Sequence, residues 1–244
     1  MIHRTRRIAS SLPWTDGSGR PWCGWARVPR MVPFVPSYLL VSWILFVPAA
    51  ERRNGKYWID EAAVDHLLFH VPDLSEDFPL ALRSLATAPW LNHDSLQLIY
   101  VTALLLLFGV VFELREGTGR TVLLFFGTTF AAAVIAGFAL HLVYPTLFDH
   151  RILENAWGRT WSGGSAGCFG LMGALAARAR RPAPLLAFFV LWEMFIWWVN
   201  LRNYTSAFHL TALTVGFIAA RFVLPPIRRV SDRGHRPGQD EAIP

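Results

Sequence analysis

Ser165 and His209 are the two side chains of this sequence whose types could do covalent chemistry together. Ser165 lies in the segment GGSAGCFGLMGA, residues 163–174, and His209 lies near the start of another apolar segment, in SAFHLTALTVG. A serine hydroxyl is a weak nucleophile until a neighbouring base takes its proton, and a neutral imidazole can do so near pH 7. Unpaired backbone N–H groups at a helix start could also stabilise an oxyanion at Ser165.

Both residues also have an ordinary structural interpretation. Glycine and alanine at close spacing pack helices together in membranes, and a serine before a helix often serves as an N-cap. A single histidine in an apolar segment more often hydrogen-bonds to a neighbour than takes part in catalysis. Which interpretation applies depends on the elements that hold the pair.

The composition predicts that these elements are membrane-spanning helices. The chain is 53% hydrophobic and only 16% charged, whereas soluble domains usually carry about 25% charged residues. Apolar windows long enough to cross roughly 30 Å of hydrocarbon support this interpretation. The sequence predicts six spans, of which the fourth is weak because glycine and alanine dominate it: 31–50, 96–112, 121–143, 165–179, 183–199 and 206–224. The expected fold class is therefore all-α, a polytopic membrane protein with six transmembrane helices.

Six spans place both termini on one side, and the basic residues predict that this side is the cytoplasm. Lysine and arginine flanking a span resist translocation. Residues 1–30, 113–120, 178–182 and 221–244 would then hold 16 of the 23 lysine and arginine residues, while the outer loop 51–95 carries eight acidic residues against four basic ones. Topology and anionic lipid explain the net charge of +6, so nucleic acid is not expected as a partner.

The chain divides into one membrane domain, 31–224, between two tails. Residues 1–30 form a basic N-terminal tail and 225–244 a C-terminal tail, both predicted to be cytoplasmic and disordered. In the long outer loop 51–95, the segment WIDEAAVDHLLFH has apolar residues at helical spacing, which predicts a helix at the membrane surface. His66 and His70 would share a face of it, but no third ligand is evident, so no metal site is predicted.

Three separated segments resemble those of the rhomboid family of intramembrane serine proteases. GGSAGCFGLMGA is similar to the family's nucleophile segment, G-x-S-G-x-x-(aromatic)-G-x-x-G-A, and HLTALTVG is similar to its sixth-helix motif H-x-x-G-x-x-x-G. FGVVFELREGTG resembles the end of the family's second helix, where a glutamate has a glycine four residues before it and another four after it. The matching positions are Gly163, Ser165, Phe169, Gly170, Gly173, Ala174, His209, Gly216, Gly109, Glu113 and Gly117.

This resemblance implies a six-helix rhomboid-like bundle with a Ser–His dyad and no acidic third member. Ser165 would be the nucleophile and His209 the base. Phe169 would pack on the histidine ring, and Gly163 and Gly216 would allow close packing around the site. Gly109, Glu113 and Gly117 would be structural, holding a helix end and the inner loop.

The sequence departs from the family pattern at several positions. Ala166 replaces the glycine that follows the nucleophile. Rhomboids usually have a histidine and an asparagine on the second helix that donate to the oxyanion, and the corresponding positions here are Gln97 and Val101. An amide N–H of Gln97 could donate in place of the histidine, but valine cannot donate. Glu193, outside the family pattern, could face the site or be a buried carboxyl bonded to a neighbouring helix.

The resemblance favours an intramembrane serine endopeptidase that cuts membrane-anchored protein substrates through an acyl-enzyme. The alternative is a catalytically weak or inactive rhomboid-like protein that binds transmembrane helices without cutting; a small transporter has only Glu193 in its favour. No cofactor is implied, and the expected partners are transmembrane substrates and the lipid bilayer. Apart from the histidines, all basic residues except Lys56 are arginine, which suggests a bacterial genome and hence the inner membrane as the location.

Overall fold

The structure is a computed structural model that describes residues 28–143, 157–199 and 205–225. Within these ranges the chain is mainly helical. Its α-helices are α1 (Val28–Met31), α2 (Phe34–Ala49), α3 (Glu61–Val64), α4 (Asp73–Glu76), α5 (Phe78–Thr87), α6 (Ser95–Leu104), α7 (Val110–Glu116), α8 (Thr118–Val143), α9 (Ser165–Arg178), α10 (Pro182–Val199) and α11 (Thr205–Ile218). One π-helical turn, Leu105–Gly109, joins α6 to α7, and another, Ala219–Val223, extends α11.

Helix α9 is the centre of the bundle. Every residue from Ser165 to Ala177 is buried, and the helix packs mainly against α8 and α11. Its glycines allow this close packing, because a Cβ on Gly170 would collide with Thr128 of α8 and a Cβ on Gly173 would collide with the backbone of α11. The same composition explains why this segment was the weakest of the predicted spans.

Within the part of the chain that the structure describes, four helices are long and apolar enough to cross a membrane: Ser95–Glu116, Thr118–Leu140, Pro182–Val199 and Thr205–Val223. The chain is therefore a helical, multi-pass membrane protein. Helix α2 is apolar but has only 16 residues, and α9 has 14 residues. At a rise of about 1.5 Å per residue, α9 is shorter than the roughly 30 Å hydrocarbon core.

The surface helix predicted in the outer loop is found only in part, because residues 61–67 are helical while the two ends of the segment are strands. The segment forms strand β2 (Lys56–Ile59), the four-residue α3, a 3₁₀ turn (Asp65–Leu67) and strand β3 (Phe69–His70). Strand β1 (Ala50–Arg53) pairs antiparallel with β2, and Asn54 and Gly55 form the turn between them with positive φ angles of 50° and 78°. Asn-Gly favours this turn because both residues tolerate positive φ. The all-α class thus holds for the bundle but not for this loop.

The outer loop folds back onto one end of the bundle. Strand β3 pairs with β4 (Thr160–Trp161), just before α9. Phe69 and Trp161 belong to a buried cluster that also contains Phe208 of α11, whose ring stacks on that of Trp161 with centroids 3.4 Å apart. The loop therefore covers the end of the bundle at which α9 and α11 begin. The two predicted tails lie outside the described residues, except for 28–30 and 225.

Candidate active site

Ser165 is the first residue of α9, and the backbone before it is held by contacts with the outer loop. Gly163 has a φ of 90° and its N–H donates to the carbonyl of Ala88 at 2.9 Å. A side chain on Gly164, which caps the helix, would collide with Tyr38 and Phe125. Two glycines are thus required where the chain turns into α9. The serine side chain is not the N-cap, so its hydroxyl is left for another partner.

That partner is His209, the fifth residue of α11. The hydroxyl oxygen of Ser165 lies 2.9 Å from Nε2 of His209, and each residue is 6% exposed. The two helices can approach closely because Gly216 lies directly against the carbonyl of Gly170, where a Cβ would collide. A serine and a histidine in hydrogen-bond contact form the arrangement needed to activate the hydroxyl as a nucleophile.

Phe169 fixes the plane of the histidine ring. It lies four residues after Ser165, on the same face of α9, and its ring stacks on the imidazole with centroids 4.3 Å apart and planes 5° from parallel. The side chain is fully buried. The structure thus brings together Ser165, Phe169 and His209, three residues that the sequence motifs single out.

Glu193 also reaches the histidine. Its Oε1 lies 2.9 Å from Nδ1 of His209, and the side chain is 1% exposed. On α10 only Phe189 and Glu193 are buried. The carboxyl group is therefore one of the two side chains through which this helix packs into the bundle. The sequence left open whether Glu193 faces the site or is a buried carboxyl group bonded to a neighbouring helix. In the structure it lies beside His209, the candidate base.

Gln97 lies beside the turn that precedes Ser165. Its Nε2 donates to the carbonyl of Ser162 at 2.9 Å, and a Cβ built on Gly163 would lie 2.5 Å from the same nitrogen. Its Oε1 accepts from the N–H of His93, while Asp94 accepts from the N–H of Gln97. This reciprocal pattern resembles a capping box at the start of α6. The side chain therefore supports the turn, and one amide hydrogen remains beyond the one given to Ser162.

The other position on α6 that the family comparison singled out holds no side-chain donor. Val101 is fully buried and its carbonyl contacts the Cys168 thiol of α9. His93 is an outer-loop contact: its Nδ1 lies 3.1 Å from Glu61, and burial lowers the pKa of the imidazole while Glu61 opposes this shift. Ala166 is buried in the first turn of α9 and lines the cavity beside Ser165.

Asn92 is a residue near the site that the motifs do not indicate. It is 1% exposed, and neither its amide oxygen nor its amide nitrogen has a hydrogen-bond partner within the described part of the chain. A Cβ on Gly163 would lie 3.2 Å from its Oδ1. Two amide side chains, Asn92 and Gln97, therefore flank Gly163.

A cavity of about 50 Å³ opens beside the serine and the histidine. A water molecule needs roughly 10–15 Å³ measured in this way, so the cavity has room for water. Besides Ser165 and His209, its walls are mostly apolar and come in part from the outer loop, through Phe69, Leu85, Ala88 and Pro89. The sequence did not indicate these loop residues, which are held at the site by the pairing of β3 with β4 and by the hydrogen bond from Gly163 to Ala88.

Glu113 and its two flanking glycines lie at the opposite end of the bundle. The carboxylate of Glu113 accepts from the N–H groups of Phe34 and Val35 at 2.9 and 3.1 Å, and from the hydroxyl of Thr118 at 2.8 Å. It thus caps α2 and ties it to α8. Gly117 ends α7 with a φ of 84°, and Gly109 lies close to Val35 of α2.

One comparison with known proteins gives a match. The family model described as Rhomboid domain matches residues 80–226, which is more than half of the chain and includes all three motif segments. No curated protein and no solved structure matches the chain.

Proposed function

The chain belongs to the rhomboid family, and on that premise we propose that it is an intramembrane serine endopeptidase with Ser165 as nucleophile and His209 as general base. The observation that carries this proposal is the 2.9 Å contact between the buried Ser165 hydroxyl and Nε2 of His209. Because rhomboid family proteins act on transmembrane substrates, we propose transmembrane or membrane-anchored proteins as substrates.

In the proposed reaction, Ser165 Oγ attacks the carbonyl carbon of the scissile peptide while its proton passes to His209 Nε2. A tetrahedral intermediate forms with negative charge on the former carbonyl oxygen. His209 then gives the proton to the leaving amine nitrogen, the C–N bond breaks, and the acyl group remains on Ser165. A water molecule next loses a proton to His209 and adds to the ester carbon. Ser165 leaves with that proton, which releases the carboxylic acid.

The oxyanion needs donors close to Ser165. Helix α9 begins at this residue, so its first backbone N–H groups lack intrahelical partners and can donate to the oxyanion. We retain Gln97 as a second donor, because its amide lies against Gly163 and one of its two N–H bonds is not used by Ser162. The cavity beside Ser165 would supply the hydrolytic water.

We propose that the protein has six spans, with α2 and α9 completing the four longer helices, and that both termini are cytoplasmic. Under this topology the starts of α9 and α11 lie near the outer face of the bilayer, where cleavage would occur. The arginine-rich inner segments support this orientation, and the arginine usage supports a bacterial inner membrane.

A fluorophosphonate probe tests the proposed function, because it reacts with an activated serine. The detergent-solubilised protein is labelled beside Ser165→Ala, His209→Ala and a control, Ser84→Ala, which removes a buried hydroxyl bonded only to a carbonyl of its own helix α5. We expect labelling of the wild type and of Ser84→Ala, and none of the other two. A folded wild type that neither labels nor cleaves a transmembrane substrate would instead favour a rhomboid-like protein that binds helices without cutting.

A further inference from the structure

We propose that Glu193 is the third member of a Ser165–His209–Glu193 triad, as a positioning residue that acts through His209. This inference rests on the proposed function and adds to it, since the resemblance to the family implies a dyad without an acidic member. Both ring nitrogens of His209 are engaged at once: Nε2 lies 2.9 Å from Ser165 and Nδ1 lies 2.9 Å from Glu193. The three groups therefore follow the order of a serine-protease triad.

The contact with Glu193 decides where the imidazole carries its hydrogen. A carboxylate can only accept a hydrogen bond, so an ionised Glu193 requires the hydrogen on Nδ1 of His209. The lone pair on Nε2 then faces the Ser165 hydroxyl, as a general base requires. A protonated Glu193 would instead donate to Nδ1 and leave the hydrogen on Nε2, where it would point at the serine and block proton abstraction.

The burial of Glu193 increases the effect of its charge. An ionisable side chain inside a membrane protein is costly unless a partner compensates it. Within the part of the chain that the structure describes, Oε1 of Glu193 contacts His209 and Oε2 has no hydrogen-bond partner. The carboxylate would stabilise the imidazolium that forms when His209 takes the serine proton, and this attraction is stronger at low dielectric than in water. In the proposed triad the proton stays on His209 and does not pass to Glu193.

The position of Glu193 in the fold also favours a role at the site. Glu193 and Phe189 are the only buried residues of α10, while neighbours such as Met194 are exposed on the helix surface. A carboxyl group whose task was to attach α10 to the bundle could bond to any neighbouring helix. Glu193 bonds instead to the one histidine that also contacts Ser165.

The tautomer of His209 provides a test that does not depend on activity. The full-length protein is labelled with ¹⁵N-histidine in detergent, and the His209 signals are identified by their loss in His209→Gln. We expect a hydrogen on Nδ1 and none on Nε2 in the wild type, and a mixed or reversed tautomer in Glu193→Gln. A hydrogen on Nε2 of the wild type would overturn the proposal, even if the Glu193→Gln protein does not fold.

The rate of fluorophosphonate labelling is the second readout. Replacing the triad carboxylate of a soluble serine protease by its amide lowers the rate about 10⁴-fold through the wrong tautomer. We expect a loss on the order of 10³–10⁴-fold in Glu193→Gln and a wild-type rate in the control Met194→Leu, which changes the adjacent exposed position. A folded Glu193→Gln protein that labels at the wild-type rate would overturn the triad and leave the proposed function intact. A folded wild type that does not label would overturn the proposed function, while the tautomer would still test Glu193.

Discussion

The imidazole of His209 lies flat against the ring of Phe169, with centroids 4.3 Å apart and planes 5° from parallel. Both rings are buried, and Phe169 is on the same helix face as Ser165. A stacked ring restricts rotation of the imidazole about its side-chain bonds, while Ser165 and Glu193 occupy its two nitrogens. The orientation of the histidine is therefore fixed from three sides, by three different contacts.

Phe169→Leu should slow the labelling of Ser165, because the imidazole of His209 loses the aromatic ring on which it stacks. An aromatic pair contributes about 0.5–1.5 kcal/mol beyond its buried area, which corresponds to a decrease of roughly twofold to tenfold in rate. The measurement is the rate of fluorophosphonate labelling of the folded protein. Phe112→Leu is the matched control, because Phe112 is equally buried but lies on α7. Equal labelling rates in the two variants would mean that the stacking does not orient the base.

Gly216→Ala should separate α11 from α9. A Cβ at Gly216 would collide with the carbonyl of Gly170, and backbone atoms cannot move aside as a flexible side chain can. Overpacking of this kind costs about 1–3 kcal/mol, so we expect a lower thermal unfolding midpoint and weaker labelling. Gly127→Ala is the control, because a Cβ there meets nothing within 4 Å and alanine favours a helix. An unchanged midpoint in Gly216→Ala would contradict the close helix contact.

The motifs made the contact between Ser165 and His209 predictable, because the resemblance to the family pairs this serine and this histidine and places glycines around them. The burial of α9 was less evident, since a glycine- and alanine-rich helix of 14 residues has little hydropathy of its own. Its position at the centre follows from steric fit with α8 and α11. A helix that faces lipid needs a high mean hydropathy, whereas a helix enclosed by other helices does not. Hydropathy therefore identifies peripheral spans such as α10 more readily than an enclosed one.

Some residues reach the candidate site only through contacts between distant segments, and their position there could not be predicted from the sequence. Glu193 is one polar residue in an apolar helix, and only the packing of α10 against α11 directs it to His209. Asn92 lies in a loop outside every motif. The β-hairpin of the outer loop did have a local signal, the Asn54–Gly55 pair, but the helical spacing of the apolar residues after it suggested a helix.

Gln97→Glu should reduce cleavage, because it removes a hydrogen-bond donor beside the turn that precedes Ser165. The variant keeps an acceptor for the N–H of His93 but loses the N–H₂ group that donates to Ser162 and, in our proposal, to the oxyanion. Loss of one oxyanion donor costs about 10²–10³-fold in kcat in a soluble serine protease. The measurement is kcat on a transmembrane substrate, with thermal unfolding as the check on folding.

Asn92→Leu measured in parallel separates the two amides that flank Gly163. We expect this variant to keep a kcat well above that of Gln97→Glu. If kcat falls in Asn92→Leu and not in Gln97→Glu, then Gln97 only supports the turn before Ser165, and Asn92 is the donor.

Glu113→Gln should lower stability without altering the chemistry at Ser165. The carboxylate uses both oxygens to accept from the N–H groups of Phe34 and Val35, and a glutamine has only one acceptor oxygen. One buried N–H would lose its partner, at a cost of about 1–3 kcal/mol. We expect a lower thermal unfolding midpoint and an unchanged labelling rate for the protein that remains folded.

Glu51→Gln is the matched control for this prediction. Glu51 pairs with Arg53 in the exposed outer hairpin, and surface ion pairs contribute little, about 0–1 kcal/mol. Its midpoint should therefore stay close to that of the wild type. A Glu113→Gln protein with an unchanged midpoint but slower labelling would contradict a purely structural role. It would mean that the cap on α2 is coupled to the site at the opposite end of the bundle, for which Tyr38 of α2, which lies against Gly164, provides a physical route.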